Sequence, residues 1–207
     1  MRIARMIYPV NVLGAGNRIG IWTAGCPHEC KGCSNPELWD INSAENISVK
    51  IIFDTVAKIR KIHSIDGITI TGGEPFLQAE ELSLLIEMLT TLTSDILVYS
   101  GYTFQELKLM NDPCVDSVIR NIAVLIDGKY IEEKNTGLPL RGSSNQEIII
   151  LNPDYENRYG MYLANQTESS SVQNFISGRS IISVGIHSPG FNDNFNNNMK
   201  KKGLGNQ

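Results

Sequence analysis

Three cysteines within eight residues constrain this chain more than any other feature of its sequence. Cys26, Cys30 and Cys33 follow the spacing C-x3-C-x2-C. This spacing brings three thiolates onto one tight loop, where they can hold one metal centre together. A [4Fe–4S] cluster normally takes one cysteine at each of its four irons. Three local cysteines therefore leave one iron open for a ligand that is not protein.

Two other interpretations of the cysteines stay open at this point. A structural zinc site needs four ligands, and the fourth would be His28, His63, His187 or the distant Cys114. A disulfide would leave one of the three cysteines unpaired. In addition, no signal peptide indicates an oxidising compartment, in which disulfides form. The spacing favours the open cluster over zinc, and zinc over disulfides.

A second motif comes directly after a short predicted strand. Ile68 and Ile70 alternate with threonines, which is typical of a strand, and Gly72–Pro75 follows. Two glycines let backbone groups approach a ligand closely. Glu74 places a carboxylate beside that backbone, which suits an amino-acid ammonium group better than a phosphate. Taken alone, these residues are also typical of a plain strand-to-helix turn.

Together the two motifs resemble those of the radical S-adenosylmethionine superfamily. In that superfamily three cysteines hold a [4Fe–4S] cluster, and its open iron binds the amino and carboxylate groups of S-adenosylmethionine. Within it, the chain resembles the activating proteins of the anaerobic (class III) ribonucleoside-triphosphate reductases. The stretches that carry this resemblance, besides the cysteine loop, are Gly14–Arg18, Asn35–Asp40, Thr71–Phe76, Tyr99–Thr103, Leu125–Gly128 and Leu140–Gln146.

The resemblance implies roles for individual residues. It implies that the three cysteines ligate the cluster, and it assigns no catalytic side chain. The implied S-adenosylmethionine contacts lie on the cysteine loop and at strand ends: Gly32, Cys33, Ser34, Gly72, Gly73, Glu74, Tyr99 and Asp127. In this set Gly72–Glu74 hold the methionine end, and the backbone around Cys33 meets the nucleoside. Tyr99 as a core residue and Asp127 as a turn residue are equally open, and His28 is interpreted as orienting the loop by hydrogen bonding.

The chemistry implied by the resemblance is a radical reaction on a partner protein. A ferredoxin or flavodoxin delivers one electron, S-adenosylmethionine is cleaved, and the 5′-deoxyadenosyl radical abstracts hydrogen from a glycine of the anaerobic reductase. One alternative is a radical enzyme of the same architecture that modifies another protein, peptide or small substrate. An alternative of another class is a zinc-stabilised interaction module, which would leave Gly72–Pro75 and Arg141–Gln146 unexplained.

Strands alternate with helices along the chain, which predicts an α/β fold with a mainly parallel sheet. Because 207 residues are too few for a barrel of eight units, which takes about 250, we expect an open partial (β/α) barrel with ligands at the carboxyl ends of its strands. The predicted strands are Ile3–Val10, Ile19–Thr23, Ile68–Thr71, Ile96–Tyr99, Ile122–Ile126, Ile148–Leu151 and Ile181–Ile186. The predicted helices are Val49–Ile62 after Ser48, Glu80–Leu92, and one from Thr103 to Met110.

Composition limits the remaining possibilities. A net charge of −4 gives no electrostatic reason to expect nucleic-acid binding, and no apolar run approaches the roughly 18 residues of a membrane span. Iron–sulfur chemistry with reduced thiols predicts a cytoplasmic protein. We expect one radical S-adenosylmethionine domain over residues 1–190. Residues 191–207 are rich in asparagine and lysine, and their few apolar groups predict a disordered tail.

Overall fold

The computed structural model describes residues 1–164, 171–177 and 180–201. Within them six strands form one sheet in sequence order, and two further strands form a separate hairpin. The sheet strands are β1 (Ile3–Val10), β2 (Arg18–Thr23), β3 (Gly67–Gly72), β4 (Ile96–Tyr99), β5 (Val124–Asp127) and β6 (Glu147–Ile150). The hairpin strands are β7 (Val172–Ser177) and β8 (Ser180–Gly185).

The four central strands of the sheet, β2 to β5, run parallel, and the two edge strands are antiparallel to their neighbours. This confirms the predicted α/β fold with a mostly parallel sheet. Because parallel strands end at the same edge, Thr23, Gly72, Tyr99 and Asp127 all lie along one side of the sheet. The cysteine loop begins at that side, directly after β2.

Six helices lie in the described residues: α1 (Val49–Ile62), α2 (Ala79–Leu89), α3 (Phe104–Leu109), α4 (Pro113–Asn121), α5 (Glu156–Ala164) and α6 (Phe191–Lys201). Ser48 caps α1 by accepting from the Ile51 amide, and Thr103 forms a capping box with Glu106. The sequence interpretation missed α4, although Asp112 caps it and Pro113 opens it, a pattern that marks helix starts.

Alternate residues of the central strands face two different cores. Ile70 and Val98 belong to the core between the sheet and helices α1 to α4. Leu97 and Val124 face the other way and pack against Tyr159 of α5. This alternation follows from the period of two in a strand. Both faces of the parallel sheet are therefore covered, as such sheets require.

Two segments beyond the sheet differ from the expectations. The structure describes α6 over Phe191–Lys201, in the segment for which the composition predicts disorder. The Phe191 ring packs against His187 and against Phe195, with centroids 4.1 and 5.4 Å apart, so a few aromatic side chains hold a helix that is otherwise polar. The rest of the predicted tail, residues 202–207, lies outside the described residues. β7 was not predicted, because its apolar side chains are interrupted by Gln173 and Asn174.

No helix in the described part of the chain is long and apolar enough to span a bilayer.

Candidate functional site

The cysteine loop connects β2 to the short helical turn at Pro36–Leu38. Its first residues are held by two backbone hydrogen bonds, from the Gly25 amide to the Leu38 carbonyl at 2.8 Å and from the Cys26 amide to the Trp39 carbonyl at 3.0 Å. The loop also contains residues with positive φ, among them Gly25 at +90°, a conformation that glycine adopts without strain. This backbone folds the loop tightly over the carboxyl edge of the sheet.

The thiols of Cys26, Cys30 and Cys33 line one cavity of about 170 Å³. No disulfide joins any of the four cysteines, all of which lie in the described residues. Burial raises the pKa of each of the three loop thiols above its ordinary value, since an apolar environment disfavours the thiolate. Loading a metal centre onto this loop must therefore displace protons from the thiols.

Gly72 and Gly73 lie on the wall of the same cavity, at the end of β3. The Gly73 amide donates to the Thr23 carbonyl at 2.8 Å, and the Glu74 amide donates to the Gly25 carbonyl at 2.7 Å. A Cβ at Gly72 would collide with the Thr23 backbone, and one at Gly73 with the Gly25 carbonyl. The two glycines therefore let the end of β3 lie directly against the start of the cysteine loop, with their backbone exposed to the cavity.

Glu74 is fully buried and is not on the cavity wall. Its carboxylate accepts from the Phe76 amide at 3.0 Å, the Gly101 amide at 2.6 Å, the Ser100 hydroxyl at 3.0 Å and His28 Nε2 at 3.2 Å. These donors come from the ends of β3 and β4 and from the cysteine loop. The structure thus gives Glu74 a role in joining three segments, where the sequence predicts a contact with the methionine end.

His28 lies inside the cysteine loop and on the cavity wall. Besides its contact with Glu74, its ring meets Tyr102 edge-on, with centroids 4.5 Å apart. A Cβ at Gly101 would collide with the imidazole, so the ring is enclosed on that side by backbone. The structure shows the loop-orienting hydrogen bond that the sequence predicts for His28.

Asp127 and Tyr99 end neighbouring strands but differ in position. The Asp127 carboxylate accepts from the Phe104 amide at 2.6 Å and the Glu147 amide at 3.2 Å, and the residue lies off the cavity wall. Tyr99 lies on the wall, while its ring packs into the core. Its buried hydroxyl has no hydrogen-bond partner among the described residues, and burial raises its pKa.

The stretch Leu140–Gln146 is held by its own hydrogen bonds. Gln146 Oε1 accepts from the Gly142 and Ser143 amides at 2.8 and 3.1 Å, and its Nε2 donates to the Gly128 carbonyl at 2.8 Å. These bonds fix Gly128, Gly142 and Gln146 on the wall of the thiol cavity.

Comparison with known proteins gives these features a family. Residues 12–149 match the family model described as a 4Fe-4S single cluster domain. The chain is 32% identical over 149 residues to the anaerobic ribonucleoside-triphosphate reductase-activating protein of Vibrio cholerae, covering 68% of this chain and 93% of the relative. This chain belongs to the family of anaerobic ribonucleoside-triphosphate reductase-activating proteins. The protein of the same name from Escherichia coli K12 is 33% identical over 150 residues, covering 68% of this chain and 94% of the relative.

As a member of this family, the protein is a radical enzyme that uses a [4Fe–4S] cluster and S-adenosylmethionine. The residues present fit these groups, because three soft thiol donors and an exposed glycine backbone border one cavity. Within the described ranges, no three His, Cys, Asp or Glu side chains converge on the position of a single metal ion. A cluster that takes one cysteine per iron does not require such convergence.

The two remaining residues predicted to contact S-adenosylmethionine, Gly32 and Ser34, flank the third cysteine, Cys33. Gly32 lines a second cavity, of about 410 Å³, which shares Cys30, Cys33 and Ser34 with the first. Ser34 lies on the walls of both cavities, and its hydroxyl contacts Nδ1 of His187 at 3.1 Å. Sequence reasoning considered His187 only as a fourth zinc ligand, and a separation of 153 residues leaves no local signal of this contact.

Proposed function

We propose that this protein activates an anaerobic ribonucleoside-triphosphate reductase by removing a hydrogen atom from a glycine of that enzyme. One observation carries the proposal: three thiols and the Gly72–Gly73 backbone border one cavity at the carboxyl edge of the sheet, in a chain of the activating-protein family. The names of the relatives from Vibrio cholerae and Escherichia coli specify the reductase as the protein that they activate.

Cys26, Cys30 and Cys33 are the cluster ligands in this proposal. Gly72 and Gly73 hold the methionine end of S-adenosylmethionine through their backbone, which is the part of the motif that reaches the cavity. Glu74 supports that backbone from behind, because its carboxylate binds donors of the surrounding segments and none of its oxygens is on the cavity wall. Ser34 and the neighbouring backbone lie at the nucleoside.

When bound, the cluster and S-adenosylmethionine supply the one-electron cleavage that generates a 5′-deoxyadenosyl radical, with a ferredoxin or flavodoxin as the electron donor. The chain binds and orients both groups, and it must keep water and oxygen away from them. We place the protein in the cytoplasm, where thiols stay reduced.

The sheet is proposed to form an open partial barrel. The face of the sheet opposite helices α1 to α4 carries Leu97, Val124 and Tyr99, which pack in one cluster with Tyr159 of α5, and Tyr99 also lies on the cavity wall. An open barrel does not by itself enclose a radical, so a large partner must complete the closure. A reductase subunit fits this requirement better than a small molecule does, since its surface can cover the opening.

Anaerobic reconstitution with iron and sulfide tests the proposal. After reduction by dithionite and addition of S-adenosylmethionine, we expect 5′-deoxyadenosine and, once the reductase is added, the electron paramagnetic resonance signal of a glycyl radical. Cys30→Ala should abolish the cluster and the cleavage. Cys114→Ala is the matched control, because Cys114 lies on α4 away from the cavity.

Two outcomes contradict this proposal. A folded protein that binds zinc, contains no sulfide and cleaves nothing would remove the radical chemistry. Cleavage of S-adenosylmethionine without any glycyl radical on the reductase would keep the chemistry and show that the substrate is different.

A further inference from the structure

The hairpin β7–β8 lies beyond residues 12–149, the part of the chain that the family model matches. It is nevertheless packed onto the central sheet. Val184 and Ile186 belong to a buried cluster with Val10, Leu13 and Trp22. Gln173 of β7 also donates through Nε2 to the Pro9 carbonyl at 2.9 Å. These contacts hold the hairpin against the strands next to the cysteine loop.

One end of this hairpin completes the wall of the thiol cavity. Residues 183–187 line that cavity together with Cys26, Cys30 and Cys33. Four of the five stand in β8 or directly after it, and the last is His187. The site of a family member is thus built partly from residues outside the matched region.

His187 is held in place by contacts of both its ring and its backbone. Its ring contacts the Ser34 hydroxyl through Nδ1 at 3.1 Å and the Ser183 hydroxyl through Nε2 at 2.9 Å. The Asn135 amide donates to its backbone carbonyl at 2.7 Å, and the Phe191 ring packs against the imidazole. The ring therefore has a fixed orientation before any ligand arrives.

Both ring nitrogens of His187 are engaged within the protein, and Phe191 packs against the ring. Because His187 lies on the cavity wall, what it can offer a ligand there is the flat surface of its ring. Burial lowers the pKa of His187 below its ordinary value, which favours the neutral ring over a cation that would repel a positively charged sulfonium. Flat aromatic groups pack well on such rings. The adenine is the flat aromatic part of S-adenosylmethionine.

We propose that His187 packs against the adenine of S-adenosylmethionine, so that the segment 183–187 is a part of the cofactor site supplied from outside the family-matched region. This assignment rests on the proposed function for the use of S-adenosylmethionine at this cavity. It places the nucleoside beside Ser34 and the third cysteine, and the methionine end at Gly72 and Gly73.

Binding of S-adenosylhomocysteine to the cluster-loaded protein, measured by anaerobic calorimetry, tests the assignment without any turnover. We expect His187→Ala to raise the Kd for this uncleaved probe about tenfold or more, as for the loss of one aromatic–base stacking contact. The Kd for 5′-deoxyadenosine should rise by a similar factor, while the iron and sulfide content stays unchanged. His63→Ala is the matched control, because His63 packs on Tyr8 away from the cavity.

His187→Phe separates stacking from a purely structural role, and it also serves if the alanine variant does not fold. Phenylalanine keeps the flat ring against Phe191 but loses the contacts with Ser34 and Ser183. We expect its Kd to stay within about threefold of the unchanged protein. A tenfold loss in this variant would overturn the proposal, because only the hydrogen bonds would then matter.

The result for the unchanged protein distinguishes two failures. If it binds S-adenosylhomocysteine and His187→Ala binds equally well, the assignment of His187 is overturned and the proposed function stands. If the unchanged, cluster-loaded protein does not bind the probe, use of S-adenosylmethionine at this cavity is contradicted, and both proposals fall.

Discussion

The two edges of the parallel sheet differ in whether their polar groups are paired within the protein or border a cavity. At the amino edge, the fully buried Arg18 forms an ion pair with Asp95 at 3.0 Å and donates to the Tyr159 hydroxyl at 2.8 Å. That hydroxyl in turn donates to Asp95 at 2.6 Å. At the carboxyl edge, three thiols and two glycine backbones border an open cavity. The first arrangement pairs protein groups with one another, and Arg158 Nε also lies 3.1 Å from Asp95 Oδ2. The second arrangement leaves groups available for a ligand.

This difference shows how one sheet carries both stability and function. A buried ion pair is stable only while both partners are present, so the amino edge behaves as a closed unit that joins α5 to the strands. Glu74 is the exception at the carboxyl edge, since its carboxylate is as fully engaged as Asp95. It forms the support on which the cysteine loop rests.

The largest expected effect on stability comes from removing the buried Arg18 side chain at the amino edge of the sheet. Arg18→Ala removes one of the two cationic partners of the buried Asp95, since Arg158 Nε also lies 3.1 Å from its carboxylate, and we expect it to lower the free energy of unfolding by about 3 kcal/mol. Urea denaturation measures the change. Arg120→Ala, on the exposed face of α4, should stay within about 0.5 kcal/mol. A loss below about 1 kcal/mol for Arg18→Ala would contradict the stabilising role of this edge.

Glu74→Gln tests whether the buried Glu74 carboxylate at the carboxyl edge stabilises the fold, as the buried ion pair does at the amino edge. The substitution replaces one accepting oxygen by an NH2 group that faces donors, so we expect a loss of about 2 kcal/mol together with poorer cluster retention. Denaturation and iron analysis measure the two effects. The exposed Glu45→Gln is the control. Normal stability with lost binding of S-adenosylhomocysteine would instead indicate a direct ligand contact.

The pH dependence of the stability of the metal-free protein separates the two edges of the sheet, because the three thiols lie at the carboxyl edge only. Their pKa values are raised above the usual 9.0, so the folded state holds these protons more tightly than the unfolded state does. That contribution to stability is present below about pH 9 and is lost as the pH rises through the folded pKa values. We expect the melting temperature of the unloaded protein to fall above this pH.

The variant with alanine at positions 26, 30 and 33 isolates the thiols from other titrating groups. Its melting temperature should fall less between pH 8 and pH 10, as thermal scans of the metal-free proteins would show. Identical slopes for the two proteins would mean that burial does not raise the thiol pKa values.

The smallest effect is expected at Tyr99, which ends β4 at the carboxyl edge. Its buried hydroxyl has no partner among the described residues, so Tyr99→Phe removes a polar group that gains nothing from folding. We expect the free energy of unfolding to stay the same or rise by up to about 1 kcal/mol, with unchanged binding of S-adenosylhomocysteine. A clear loss of binding would show that the hydroxyl contacts the ribose, as the resemblance implies.

Local patterns in the sequence were enough to predict most of the fold. Strand alternation and helix caps such as Ser48 and Thr103 act within a few residues, so the strands of the sheet and helices α1 to α3 could be predicted from them. Helices α4, α5 and α6 and strand β7 were not predicted. The shared cavity of the three cysteines was predictable for the same reason, since their spacing confines them to one loop.

Only the tertiary structure shows which groups surround Glu74 and His187. A carboxylate after two glycines is equally consistent with a ligand contact or an internal support, and only the folded chain brings donors from Ser100, Gly101 and His28 to it. His187 meets Ser34 across 153 residues of chain. Such contacts depend on how separate elements pack, and no short stretch of sequence records that packing. The chain's local chemistry was therefore determined by sequence, while the choice between supporting and binding groups came from the folded arrangement.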